Sequence, residues 1–328
     1  EKRQGENQPY AIGWELTTKS TYPAGHPYSW TVIGSMDDLN AASLDDVKDW
    51  FKSYYGPNNA VLVIAGDIDA KTAFEKVNKY FGDIPPGPPV AKHDEWISKM
   101  TGIHRQSAQD RVPQARLQKT WNVPAWGSRE NVQLDLLTDI LASGKTSRLY
   151  KRLVYDDQIA SNVWAYIDSR EISAQLTIGS DAKPEVPLSK LEAAINEELQ
   201  RLVKDGIRQE ELNRIKTQYF ANYVKGMERI GGFGGKSDIL AQNEVYGGSA
   251  DYYKTIHKWI KEATVEDIRN VAAKWLSDGE YVLEINPFPE LKAETAGADR
   301  KNLPPLGVAP VVKFPDVQEF VLSNGLKV

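Results

Sequence analysis

Two stretches of the chain, 43–66 and 264–287, carry the same succession of apolar and polar positions. The first reads "SLDDVKDWFKSYYGPNNAVLVIAG" and the second "TVEDIRNVAAKWLSDGEYVLEINP". Leu44, Val47, Phe51 and Tyr54 recur at spacings of three and four, the period of one helical face. Val265, Ile268, Ala272 and Trp275 occupy the same places, 221 residues on (264 minus 43), with no gap in the register. Ser43 with Asp46, and Thr264 with Asp267, form the [ST]-x-x-[DE] box that satisfies the free N–H groups at a helix start. A polar break follows each helix: Gly56-Pro57-Asn58-Asn59 in one copy and Asp278-Gly279-Glu280 in the other. Beyond it, Val61, Leu62 and Ile64 match Val282, Leu283 and Ile285, and both runs predict a buried strand. The pattern predicts tandem units of mixed α and β structure, about as long as the offset.

One complete unit, residues 98–288, lies between the copies. It opens with strand-like "IHRQSAQDRVPQARLQKTWNVP" and a helix from Ser128 through Leu141. "SRLYKRLV" follows, then a strand pair around "SNVWAYID" and "ISAQLTIGS". A helix with Leu188, Leu191, Ile195, Leu199 and Leu202 on one face closes at Gly206, and another runs from about Glu210 to Met227. Grouped strands followed by long helices predict an α+β fold, an antiparallel-rich sheet with helices packed on one face. Residues 1–88 read as the C-terminal part of a first unit, with "PPGPPV" as a stiff spacer after it. Residues 289–316 read as a linker, and 317–328 as the first strand of a following unit. There "FVLSNGLKV" places an Asn-Gly turn between two apolar alternations. The expectation is a fragment of a longer modular chain.

Composition narrows the function classes. The 328 residues include 9 Trp, 15 Tyr and 8 Phe, enough for two domains at about 100–200 residues each. Forty-five acidic and 40 basic residues, interspersed, give a net charge of −5, without the basic stripe that tracks a phosphate backbone, so nucleic acid is not expected as a partner. No cysteine is present, which excludes thiol catalysis, disulfides and Cys-ligated metals. The apolar run 60–66 is far too short to span a bilayer, and the charged opening "EKRQGENQPY" is not a signal peptide.

The chemical motifs fall short one by one. "SGKTS" at 143–147 and "GGKS" at 234–237 lack the leading glycine of a phosphate loop, since Asp139 and Ile230 stand there. His26, His93, His104 and His257 are never three to five residues apart, so no helical two-histidine metal site forms. His26, in "GHPYSW", reads as a packed or hydrogen-bonded structural residue. No G-x-S-x-G elbow is present, and Asp45-Asp46 and Glu210-Glu211 are accounted for as helix N-termini.

Three pieces, "HPY" (26–28), "SLDDVKDWFKSYYGPNNAVLVIAGD" (43–67) and "GKTSRLYKRLV" (144–154), occur in the order and spacing of a known family. On them the chain resembles the insulinase/pitrilysin family of zinc metallopeptidases, which includes mitochondrial processing peptidase-like proteins. The resemblance implies paired α/β units enclosing a peptide chamber, with an inverted H-x-x-E-H motif holding zinc in the first unit and a downstream glutamate as third ligand. That motif is absent from this sequence, and Glu1 occupies the place of the downstream glutamate. Arg148 and Tyr150 fall on a helix that faces the chamber in the family. The implied function is part of a zinc-dependent metalloendopeptidase, with zinc in the full-length parent, none bound by this chain, and no activity of the chain alone. The implied partners are peptide substrates and another half of the same polypeptide or a homologous subunit, in a bacterial periplasm. The alternatives are a non-catalytic partner half or scaffold subunit, and a free-standing peptide-binding module.

Overall fold

The computed structural model describes residues 1–289, 307, 313 and 319–327. Five strands form one sheet: β1 (Ile103–Asp110), β2 (Arg116–Val123), β3 (Ala160–Ser169), β4 (Ala174–Ala182) and β5 (Glu280–Pro287). Their order is β1-β5-β2-β4-β3. All neighbours are antiparallel except β1 and β5, which run parallel from Ile103 opposite Glu280 to Asp110 opposite Pro287. The last strand in sequence therefore inserts between the first two. The α+β architecture with an antiparallel-rich sheet is as the periodicity predicts.

The N-terminal region is helical: α1 (Lys2–Glu6), α2 (Ile12–Thr21), α3 (Met36–Ala41), α4 (Leu44–Tyr54) and α5 (Ala70–Phe81). Between β2 and β3 lie α6 (Arg129–Ala142) and a π-helical segment, Tyr150–Asp156. After β4 come α7 (Leu188–Asp205), α8 (Gln209–Gly226), α9 (Lys236–Gly247), α10 (Tyr253–Glu262) and α11 (Val265–Leu276). Leu117, Trp121 and Val123 of β2, Leu176 and Ile178 of β4, and Val282 of β5 join one core with α6, α7, α8, α10 and α11. Within it Leu134, Leu137, Ile140 and Leu141 of α6 are completely buried, because that helix is covered by the sheet on one side and by α8, α10 and α11 on the other. Truncating any of the four to alanine costs about 2–5 kcal/mol. Lys119 is the polar exception on this face. Its ammonium, 1% exposed, is held by Glu280 at 2.8 Å and by the side-chain oxygen of Asn196.

The helix ends follow the sequence. Ser128 accepts from the N–H of Asn131 to open α6, and Gly206 closes α7 at φ +77°, a conformation that favours glycine. Both capping boxes form, Ser43 with Asp46 and Thr264 with Asp267.

One expectation needs correction. Residues 61–64 do not form a strand: Val61, Leu62 and Ile64 are 41%, 56% and 46% exposed. A strand exists only through a neighbour's backbone, and among the described residues none pairs with this run. Its counterpart β5 has β1 on one side and β2 on the other. The apolar faces of α4 and α5 share that exposure, and neither helix buries a residue. The helices of residues 98–288 that join the core lie on one face of the sheet, and α2, from the N-terminal region, covers part of the opposite face.

Residues from Pro289 on belong to a second unit. Its linker, expected over 289–316, lies outside the described residues except at Pro289, Gly307 and Lys313. At its end, Val321 bridges Lys327 in antiparallel fashion, and the Gly325 N–H donates to the Leu322 carbonyl at 2.9 Å, so the predicted Asn-Gly turn forms.

Candidate functional site

Alternation along the strands gives the sheet two chemically different faces. With Leu117, Lys119 and Trp121 turned to the helical layer, β2 sends Arg116, Gln118, Thr120 and Asn122 to the other side. There β4 contributes Gln175, Thr177 and Asp181, while β3 contributes Trp164 and Tyr166. Where β5 meets this side, Tyr281, Leu283 and Ile285 form a small apolar core with Val112, Tyr10 and Leu16.

Part of the polar face is covered by α2, which lays a row of threonines on it. Asn122 Nδ2 donates to the Thr21 carbonyl (2.7 Å), Gln175 Nε2 to Thr21 Oγ1 (2.7 Å) and Gln118 Nε2 to Thr17 Oγ1 (3.1 Å). Gly13 permits the close approach, since a Cβ there would stand 3.0 Å from the Ile285 side chain. Tyr22 and His26 anchor the exit of α2. The His26 ring stacks on Tyr22 at 4.3 Å, its Nδ1 accepts from the Tyr28 N–H, and its Nε2 faces the Trp96 carbonyl at 2.8 Å. With Nδ1 accepting, the proton belongs on Nε2, and both ring nitrogens are occupied. His26 is structural, as its aromatic neighbours predict.

Beyond α2 the polar face opens as a cleft of about 440 Å³, lined by Tyr10, Gly13, Trp14, Arg116, Gln118, Asn162, Trp164 and Tyr166. Arg116 is its centre. Its Nε and Nη2 bind the two Asp181 oxygens at 2.7 and 3.2 Å, while Tyr10 lies over the guanidinium at 3.4 Å and Trp164 at 4.7 Å. Tyr10 adopts φ +65°, a left-handed conformation that costs a non-glycine residue roughly 1–3 kcal/mol. Three contacts offset that cost: the N–H to Asp110 Oδ2 (2.8 Å), the hydroxyl to the Gln114 carbonyl (2.9 Å), and the ring on Arg116. Trp164 lies flat on Gly179 of β4, where a Cβ would meet the indole at 2.3 Å. Burial pushes the Tyr10 and Tyr166 hydroxyls up from their ordinary value, so both stay neutral at physiological pH. The result is a fixed aromatic cleft whose central charge is cancelled in place.

The residues singled out from the sequence lie elsewhere. Glu1 is exposed at the start of α1, beside a second cavity of about 720 Å³ that also borders Glu6, Glu15, Asp110 and Trp14. Lys19 holds Glu15 at 2.5 Å, and Asp110 accepts backbone N–H groups from Tyr10 and Arg111. Among the described residues no three His, Cys, Asp or Glu side chains converge as a metal-ligand set, so the residues present do not fit a zinc site around Glu1. Arg148 makes a bidentate pair with Glu211 (2.9 and 2.8 Å) and donates to the Gly206 carbonyl (3.1 Å). Tyr150, two residues on, packs half-buried against the main core. The structure does not bring Glu1 together with Arg148 and Tyr150.

The cleft was missed by sequence reasoning. "SNVWAY" puts Trp164 and Tyr166 two apart, a same-face strand signal, but their partner Arg116 lies 48 residues earlier (164 minus 116) and no local pattern joins them.

Known proteins share this architecture. Solved structures of a protease from Helicobacter pylori and of a peptidase M16 inactive domain from Pseudomonas fluorescens match with TM-scores of 0.77 and 0.73. They cover 87% and 88% of this chain and 69% and 68% of their own, at 24% and 18% identity, a likeness of fold alone. By sequence, the zinc protease PqqE of Helicobacter pylori is 28% identical over 261 residues, 77% of this chain. The uncharacterized zinc protease YmxG of Bacillus subtilis is 26% identical over 291 residues, 85% of this chain. The chain spans 57% and 66% of the lengths of these two relatives. Among the described residues no helix is long and apolar enough to cross a membrane. The model of the peptidase M16 inactive domain matches residues 41–219, more than half of the sequence. On that match the chain belongs to the M16 peptidases, the insulinase/pitrilysin zinc metallopeptidase family, as a member bearing its inactive domain.

Proposed function

We propose that this chain is the non-catalytic half of a zinc-dependent metalloendopeptidase and forms one wall of the chamber in which peptides are cleaved. The match to the inactive domain carries the reading. The sheet face supports it: a preorganised cleft of aromatic rings and amides suits a peptide, and among the described residues no metal-ligand set accompanies it. In this reading the zinc, its H-x-x-E-H ligands and the attacking water belong to the other half, whether in the same polypeptide or in a homologous subunit. The apolar faces of α4 and α5 favour such an association, since exposed apolar area of this extent marks an interaction surface. The bacterial periplasm is the proposed compartment, with which a cysteine-free chain is compatible.

The test is reconstitution. The chain is assayed on a quenched fluorescent peptide alone, and again with an H-x-x-E-H-bearing half of a family zinc protease, joined or mixed. The expected result is no hydrolysis by the chain alone and at least a tenfold gain over the catalytic half alone when the two are combined. Chelator-sensitive hydrolysis by this chain alone overturns the reading, as does the absence of any gain.

A further inference from the structure

We infer that the cleft between Tyr10, Arg116 and Trp164 is a specificity subsite that takes one aromatic side chain of a bound peptide. The inference rests on the chamber-wall reading and adds to it which side chain the wall selects.

Three observations carry it. The first is construction: Tyr10 is held against its backbone preference, Trp164 fits only because position 179 is glycine, and Arg116 is locked by two oxygens of Asp181. An arrangement fixed by several independent contacts, at a cost in strain, marks a site at which precise placement matters. The second is exposure. Trp14 and Tyr166 are 50% and 41% exposed although both border the cleft, so ring surface is left open to a ligand.

The third is charge. Arg116 is paired with Asp181, and the Tyr10 and Tyr166 hydroxyls are neutral, so the cleft presents no uncompensated charge among its lining residues. An acidic side chain meets a guanidinium already engaged. A basic one meets cations already lying on three of the four rings, Arg116 on Tyr10 and Trp164 and Arg170 at 5.5 Å from Trp14, where the stacking positions for a second cation are taken. A neutral planar ring meets neither penalty and stacks on exposed aromatic surface. The side-chain amides of Gln118 and Asn162 border the same space and suit the peptide groups on either side of that ring.

The experiment reads binding without hydrolysis. Three fluorescein-labelled decapeptides, identical except for a central Tyr, Ala or Lys, are titrated with the chain and followed by anisotropy. The Tyr peptide is expected to bind about tenfold more tightly than the Ala peptide, with Lys no better than Ala. Tyr166→Ala, a half-exposed position, is expected to remove most of that preference, and Trp164→Phe to keep part of it. Thermal melting checks that both variants remain folded. Should Trp164→Phe not fold, Tyr166→Ala and competition by N-acetyl-tyrosinamide decide. Equal affinity for the Tyr and Ala peptides, preference for Lys, or an unchanged preference in Tyr166→Ala overturns the inference. Tyr-selective binding without any gain on reconstitution sinks the chamber-wall function and leaves the subsite. A gain on reconstitution without Tyr selectivity does the reverse.

Discussion

Arg148 ties together parts of the helical layer that local sequence does not connect. Its guanidinium spans Glu211 in the first turn of α8 and the carbonyl of Gly206 at the end of α7. Burial alone would raise the Glu211 carboxyl. The hydrogen bonds from Arg148 and from the Arg208 N–H, with the charges of both arginines, more than offset it and bring the group down to about 2. A folded value below the unfolded one means stability present in full above about pH 4.5 and lost as pH falls toward 2. The unfolding free energy of the wild type from urea titration is therefore expected to exceed that of Glu211→Gln at pH 7 by up to about 3 kcal/mol, and to converge with it near pH 2. A difference independent of pH would show that the pair does not govern this limb. The sequence shows both residues and the helix start that Glu211 occupies. It does not show that they meet, because the pairing crosses 63 positions.

Two helices with the same cap and the same apolar period, α4 and α11, have opposite surroundings. In α11, Ile268, Val271, Ala272 and Trp275 are buried against the core, whereas α4 exposes the corresponding face. A cap stabilises a helix equally in both places, but only α11 buries the face through which a helix is coupled to unfolding of the core. Thr264→Ala is therefore expected to lower global stability by about 1 kcal/mol. Ser43→Ala is expected to leave the main denaturation transition unmoved and to speed amide exchange only within 44–54. Equal global losses would mean that α4 belongs to the same cooperative unit. Helix existence, period and caps were legible in the sequence at this scale because they depend on residues three or four apart. The strand expected at 61–64 was not, because pairing depends on a neighbour that the run itself does not encode.

Over the whole molecule, the hairpin of β3 and β4 and the apolar stripe of α7 follow from local spacing, and so does the α+β class. The sheet order does not, since the parallel contact of β1 with β5 joins residues 177 positions apart (280 minus 103). The aromatic cleft shares that limit, being assembled from the N-terminal helical region, β2, β3 and β4. A chain ended at residue 279 lacks the strand that separates β1 from β2. It is expected to lose the protease-resistant fragment spanning 103–287 that the longer chain yields, and survival of a resistant 103–182 core would show that β2, β3 and β4 stand without it. The position of β5 also bears on how each copy is made. A ribosome delivers β1 first and β5 last, yet β5 sits inside the sheet between β1 and β2. From the emergence of residue 123 until that of residue 287, the nascent chain carries two strand edges, one of β1 and one of β2, whose proper neighbour does not yet exist. Such edges recruit other chains as readily as their own. The interval of synthesis is thus a stage at which this protein is exposed to aggregation and at which a holding chaperone has two open edges to protect.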